Sequence, residues 1–114
     1  MEINGTEVGL RIKLDQLYHA RREGCDIGDL TNGLLQAIAV NPLDAIEAAW
    51  LVYEPKLKAA GVETFEAFCE LTPETMGAVV EQFREELAVF FPVLEAIQSE
   101  IDTTIAEITN RAPS

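Results

Sequence analysis

Three side chains in this sequence have the chemistry to hold a transition metal: His19, its only histidine, and the two cysteines Cys25 and Cys69. Together they would make a zinc site with one position open, but no two of them fall at the short spacing of a ligand pair, and neither cysteine belongs to a CxxC motif. The plainer reading is a surface histidine and two buried thiols kept reduced. No serine or cysteine is placed by sequence to use His19 as a base. Ser99 and Ser114 are the only serines, so a small acidic carrier protein would lack its Asp-Ser-Leu attachment site. The stretch DIGDLTNG, residues 26–33, has the acids and glycines of a calcium loop. It lacks that loop's alternating ligands and closing glutamate, and reads as the approach to a helix. Glu66, Glu70 and Glu74 recur at helical spacing, where paired carboxylates could do acid–base work, yet such a row is ordinarily a solvated face. No enzyme, metal or cofactor follows from these residues.

Size and charge narrow the rest. A chain of 114 residues with 48% hydrophobic content can bury a core of its own without a disulfide or metal staple. Its 20 acidic and 8 basic residues give a net charge of −12, which disfavours nucleic acid phosphates and anionic membrane surfaces and leaves a basic partner, or plain solubility, as its use. Residues 1–23 are balanced, with four acids and four bases, whereas residues 60–110 hold eleven acids and one base, Arg84. The negative field belongs to the C-terminal half. No secretory h-region stands before a cleavage site and no apolar run reaches the roughly 20 residues of a membrane span, so a soluble cytoplasmic protein is expected.

The elements follow from pattern. MEINGTEVGLRIKL opens with Asn4-Gly5, a type I′ hairpin turn, between a strand of Met1–Ile3 and one from Thr6 to about Lys13. Val8, Leu10 and Ile12 alternate with polar residues and should face a core. Helices are expected over about 14–23, with Leu14, Leu17 and Tyr18 on one side and Gly24 as the stop, and over about 29–40, with Leu30, Leu34, Leu35 and Ile38 inward. A third begins at Pro42, carries Leu43, Ile46, Trp50 and Tyr53, and ends or kinks at Pro55. KLKAAGV then reads as a turn and linker, and ETFEAFCEL as a brief helix burying Phe65 and Phe68. Thr72-Pro73 starts the last and longest helix as N-cap and N1.

That last helix carries two apolar stripes. Met76, Val79, Val80, Phe83, Leu87, Phe90 and Phe91 span roughly 120°, the breadth of a core face. Beyond Pro92, Leu94, Ile97, Ile101, Ile105 and Ile108 span only about 80°, nearer a coiled-coil seam. Because the stripes share one phase, a single helix is expected. Residues 73–109 would run about 55 Å, against a radius of gyration near 13 Å for a compact chain of this size. Residues 92–114 must therefore fold back on a core of residues 1–91 or project from it. The seam is a candidate protein-binding surface, flanked by Glu95, Glu100, Asp102 and Glu107. The second candidate is the N-terminal strand, whose Val8, Leu10 and Ile12 face packs inward while its free edge is open to self-association, tempered by Arg11 and Lys13.

In order and patterning, the EINGTEVGLRI hairpin, the LDQLYHARREG helix, the DLTNGLLQAIAVNPLDAIEAAWLVYEP stretch and the acidic helix begun by Thr72-Pro73-Glu74 together resemble the tail assembly chaperones of long-tailed bacteriophages and prophages. The resemblance covers roughly residues 1–90. It implies a small, mainly helical protein of the host bacterial cytoplasm that binds the tape measure protein, keeps it soluble, recruits tail tube subunits and is not retained in the mature virion. It carries no catalytic motif. The expectation is thus an α+β, predominantly helical domain, a short hairpin followed by a bundle of about five helices, acting as a non-enzymatic chaperone. An acidic protein-binding inhibitor that mimics DNA, or a phage structural adaptor, is the alternative from another class.

Overall fold

The computed structural model describes residues 1–29 and 33–111. The architecture is the expected one: an N-terminal hairpin of β1 (Glu2–Ile3) and β2 (Thr6–Glu7), then five helices, α1 (Leu14–Arg22), α2 (Leu34–Val40), α3 (Pro42–Ala59), α4 (Phe65–Cys69) and α5 (Pro73–Arg111). The strands pair antiparallel, Glu2 with Glu7 and Ile3 with Thr6. Asn4 and Gly5 take φ of 52° and 77° at the turn, the left-handed pair a type I′ turn requires.

The ladder is shorter than the alternation predicts. Val8 still donates to the Met1 carbonyl at 2.7 Å, but past it no second strand lies alongside, so residues 9–13 run unpaired although Val8, Leu10 and Ile12 are buried as expected. Side chains of α3 replace the missing strand. The Tyr53 hydroxyl donates to the Leu10 carbonyl at 2.7 Å, and the Lys56 ammonium donates to the carbonyls of Gly9 at 2.8 Å and Arg11 at 3.0 Å. Desolvation, then the nearby Lys13 charge, lowers the Lys56 pKa.

Two helices end in the same way. Gly24 and Gly61 take positive φ, and after each the next amide reaches back five residues, Cys25 to the Ala20 carbonyl and Val62 to that of Leu57, both at 2.9 Å. These are Schellman caps, and each buries its flanking apolar pair. At the start of α1 the Gln16 carboxamide accepts from the Lys13 amide at 2.7 Å. That bond draws Gln16 inward beside Leu17 and Ala20, and Leu14 and Tyr18, expected in the core, are each 54% exposed. Helix α2 starts at Leu34 rather than near Asp29, because Gly33 sits at φ 73°, a left-handed conformation that cannot continue a right-handed helix. The expectation for Leu30 lies outside the described residues.

Helix α3 is the centre of the fold. Asn41 caps it through the Leu43 amide at 3.0 Å, and Ala45, Ala48, Ala49, Val52, Tyr53 and Leu57 are almost wholly buried. The small residues let α1 and α2 approach closely. Leu43 is 72% exposed, one turn too early to reach the core. Pro55 neither ends the helix nor opens a linker after it, since KLKA remains helical to Ala59. The clasp from Tyr53 and Lys56 and the burial of Val52 and Leu57 hold both flanking turns in place. Thr64 caps α4 through the Ala67 amide, placing Phe68 5.5 Å and Phe65 6.3 Å from Trp50, centroid to centroid. Phe68 is fully buried and Phe65 partly so.

Thr72 caps α5 through the Thr75 amide, and the helix continues through Pro92 as one element. Val79, Val80, Phe83 and Leu87 pack on the body, and Phe83 meets Tyr53 edge-on at 5.7 Å. The helix then leaves the body. A radius of gyration of 17.1 Å and extents of 64 × 26 × 22 Å show that it projects and does not fold back.

Replacing Tyr53 with Phe keeps the ring on Phe83 and strips the buried Leu10 carbonyl of its donor. Such an unsatisfied group costs about 1–3 kcal/mol. Urea unfolding followed by Trp50 fluorescence should show the midpoint falling accordingly, with less effect from Lys56→Met, whose bonds are exposed.

Candidate protein-binding surface

The projecting half of α5 carries the core stripe onward in the same phase with nothing over it. Ile97, Ile101, Ile105 and Ile108 are 50%, 47%, 56% and 64% exposed, and Leu94 is half-buried at the foot of the row. A steady advance of about 100° per residue keeps these five on one face. Glu95 and Asp102 lie along one side of that face, and Glu100 and Glu107 along the other. All four acids are exposed. Between Arg84 and Arg111 there is no lysine or arginine to offset them.

Polar side chains between the acids are satisfied within the helix. Gln98 donates to Asp102 at 3.0 Å, and the hydroxyls of Thr103 and Thr104 donate to the carbonyls of Ser99 and Glu100, each at 3.0 Å. What remains for a partner is apolar area between two acidic margins. That arrangement suits another helix, because rows at three- and four-residue spacing interlock with rows of the same kind.

Two clefts lie where α5 leaves the body. One, of about 710 Å³, opens between α2 and α5 and is lined by Leu35, Ile38, Ala39, Leu87, Ala88 and Phe91, with Arg84 at its wall. The Arg84 guanidinium donates to the Ile38 carbonyl through Nε at 3.2 Å and Nη2 at 3.1 Å. It thereby caps a carbonyl in the last turn of α2, which has no partner within its own helix. The second cleft, of about 400 Å³, lies between α1 and the foot of the seam, with Leu14, Leu17 and Tyr18 facing Leu94.

The other residues singled out by chemistry do not converge. Cys25 is buried and Cys69 exposed, so only one of the two expected buried thiols is buried; Cys69 sits at the end of α4 with its side chain outward. Burial, and then Asp26 and Glu47, push the Cys25 thiol up to about 11. His19 is partly covered rather than free at the surface: its Nε2 lies 3.6 Å from Glu54, which also takes Lys58 at 3.2 Å. Among the described residues no group of three or more His, Cys, Asp or Glu side chains is placed to hold a metal. Glu66, Glu70 and Glu74 are solvated.

At the N-terminal strand, Val8, Leu10 and Ile12 belong to the core. Successive carbonyls of an extended chain point to opposite edges. An added strand would therefore compete with Tyr53 at one edge or with Lys56 at the other.

Sequence pattern located the seam but not the cleft at its foot, because Leu14 and Tyr18 read as ordinary core positions of α1. The available signal was Gln16, at the third helical position, where its side chain folds back on the N-cap amide and turns the buried face away from Leu14 and Tyr18. Comparison with known proteins finds no matching family model, no similar curated protein and no similar solved structure. Among the described residues no helix is long and apolar enough to cross a membrane.

Two outcomes are expected. Ile101→Asp with Ile105→Asp should leave the thermal midpoint of the helical circular dichroism almost unchanged, since exposed substitutions shift stability by about 0.5 kcal/mol or less, whereas Val79→Asp should collapse the fold. With a raised pKa the Cys25 thiolate is scarce below about pH 11, so iodoacetamide at pH 8 should alkylate Cys69 alone, and Cys25 only after denaturant is added; mass spectrometry reads both.

Proposed function

We propose that this protein is a non-enzymatic assembly chaperone of phage tails that holds the tape measure protein along the projecting half of α5. The observation that carries the proposal is the uncovered Leu94–Ile108 seam, continuous with the core stripe and flanked by four acids with no base between Arg84 and Arg111. A long helical client aggregates through its own apolar stripes, and its keeper needs a complementary stripe that its own core does not cover. The acids disfavour pairing of two seams and favour a basic client helix, so part of the specificity comes from repulsion. The resemblance of residues 1–90 to tail assembly chaperones supplies the identity of the client and the further role in recruiting tail tube subunits, in the host cytoplasm and before the mature virion. A DNA mimic would array carboxylates without an apolar row between them.

Co-expression with a phage tape measure protein as client tests the reading. The client should move from the pellet to the soluble fraction and co-purify. Burying each isoleucine is worth about 1.5–3 kcal/mol, so Ile101→Asp with Ile105→Asp should weaken the complex at least a hundredfold and return the client to the pellet. A client equally soluble with the double variant would overturn the assignment to α5, and one that the wild-type chain leaves insoluble would overturn the function.

A further inference from the structure

We propose that Leu14 and Tyr18 of α1 form an end-stop for the seam, receiving a large apolar side chain at one end of a basic amphipathic helix that lies along α5. The inference rests on the reading of the seam as a client-binding surface and adds where the bound helix must terminate.

Leu14 and Tyr18 are four residues apart and so are neighbours on one face of α1. Each leaves 54% of its surface in water, while the face that packs on α3 is made by Gln16, Leu17 and Ala20. Across the cleft of about 400 Å³ they face Leu94, which lies near the centre of the seam's phase. From Leu94 the seam runs to Ile108, about 21 Å at the helical rise. A helix laid on that seam and extended toward the body meets α1 at this cleft. The apolar side of the cleft, made by Leu14, Leu17, Tyr18 and Leu94, suits an aromatic or long aliphatic anchor.

Charge selects the occupant. Four acids border the seam with no base between Arg84 and Arg111. At the cleft the one base, Arg21, lies 3.5 Å from Asp26, beside Asp29. A second copy of this chain would set its four acids against the same four, and an anionic bilayer would meet the same repulsion. A helix with lysine or arginine beside its apolar row meets neither penalty.

The test uses the full chain and synthetic amidated peptides of about 18 residues, five turns of helix, with Leu and Ile at three- and four-residue spacing, Lys on both margins and Trp at one end or the other. Calorimetry should show one of the two Trp peptides binding the wild-type chain, more weakly as salt rises, and not binding the Ile101→Asp, Ile105→Asp variant. Leu14→Ser with Tyr18→Ser, both exposed sites, should keep the fold by circular dichroism and lose about tenfold in affinity. The same peptide with Trp→Ala should bind both chains equally, so that the two losses are coupled and not additive. If the end variant binds as wild type does, or the losses simply add, the end-stop is refuted while the seam stands. Failure of every Lys peptide to bind the wild-type chain would refute both. Equal binding of a Glu-margined peptide, or a dimer in sedimentation that Ile101→Asp with Ile105→Asp dissolves, would refute the basic helix as occupant.

Discussion

Tyr53 is where the parts of this fold meet. Its hydroxyl holds the Leu10 carbonyl of the N-terminal segment at 2.7 Å, its ring meets Phe83 of α5 edge-on, and its own helix packs on α1 and α2. The residue is fully buried, and burial, then the Glu86 charge, push its phenol pKa well up. Its hydroxyl therefore stays protonated, and a donor, well above neutral pH. A two-stranded hairpin is marginal alone. Here the segment after it is held by side chains from one helix, which explains how a single lopsided hairpin can begin a helical domain.

The same constraint governs α5. Its first half is clamped by Phe83 against Tyr53 and by Arg84 against the end of α2. An isolated helix as short as the projecting half would be marginal in water, because the first turn costs more than it returns. Growing from a clamped helix removes that nucleation cost. The projecting half can thus remain helical while its apolar face is uncovered, presenting a preformed surface to a partner, and a preformed surface avoids the entropic cost of ordering on binding.

Much of this was legible in the residues. Local chemistry decides the Asn4-Gly5 turn, the Thr72-Pro73 start and the alternation of Val8, Leu10 and Ile12, because each depends on groups within a few positions. The long-range phase of α5 was equally readable: at about 100° per residue Phe83 and Ile101 must share a face whatever surrounds them. The errors lie where two elements compete. Pro55 reads as a stop, yet α3 passes through it because contacts from the rest of the chain hold the turns on either side. Leu14 and Tyr18 read as core, yet the Gln16 cap rotates α1 away from them.

By itself, then, the sequence determined the element types, the shared phase of the two α5 stripes and the acidic margins of the seam. These are properties of residue type and spacing. Only the tertiary structure decided that α5 projects, that Tyr53 and Lys56 take the carbonyls of residues 9–11, and that α1 leaves a cleft beside Leu94. Each of those depends on how far one element stands from another, a distance set by the alanine-lined packing around α3 and absent from any local pattern.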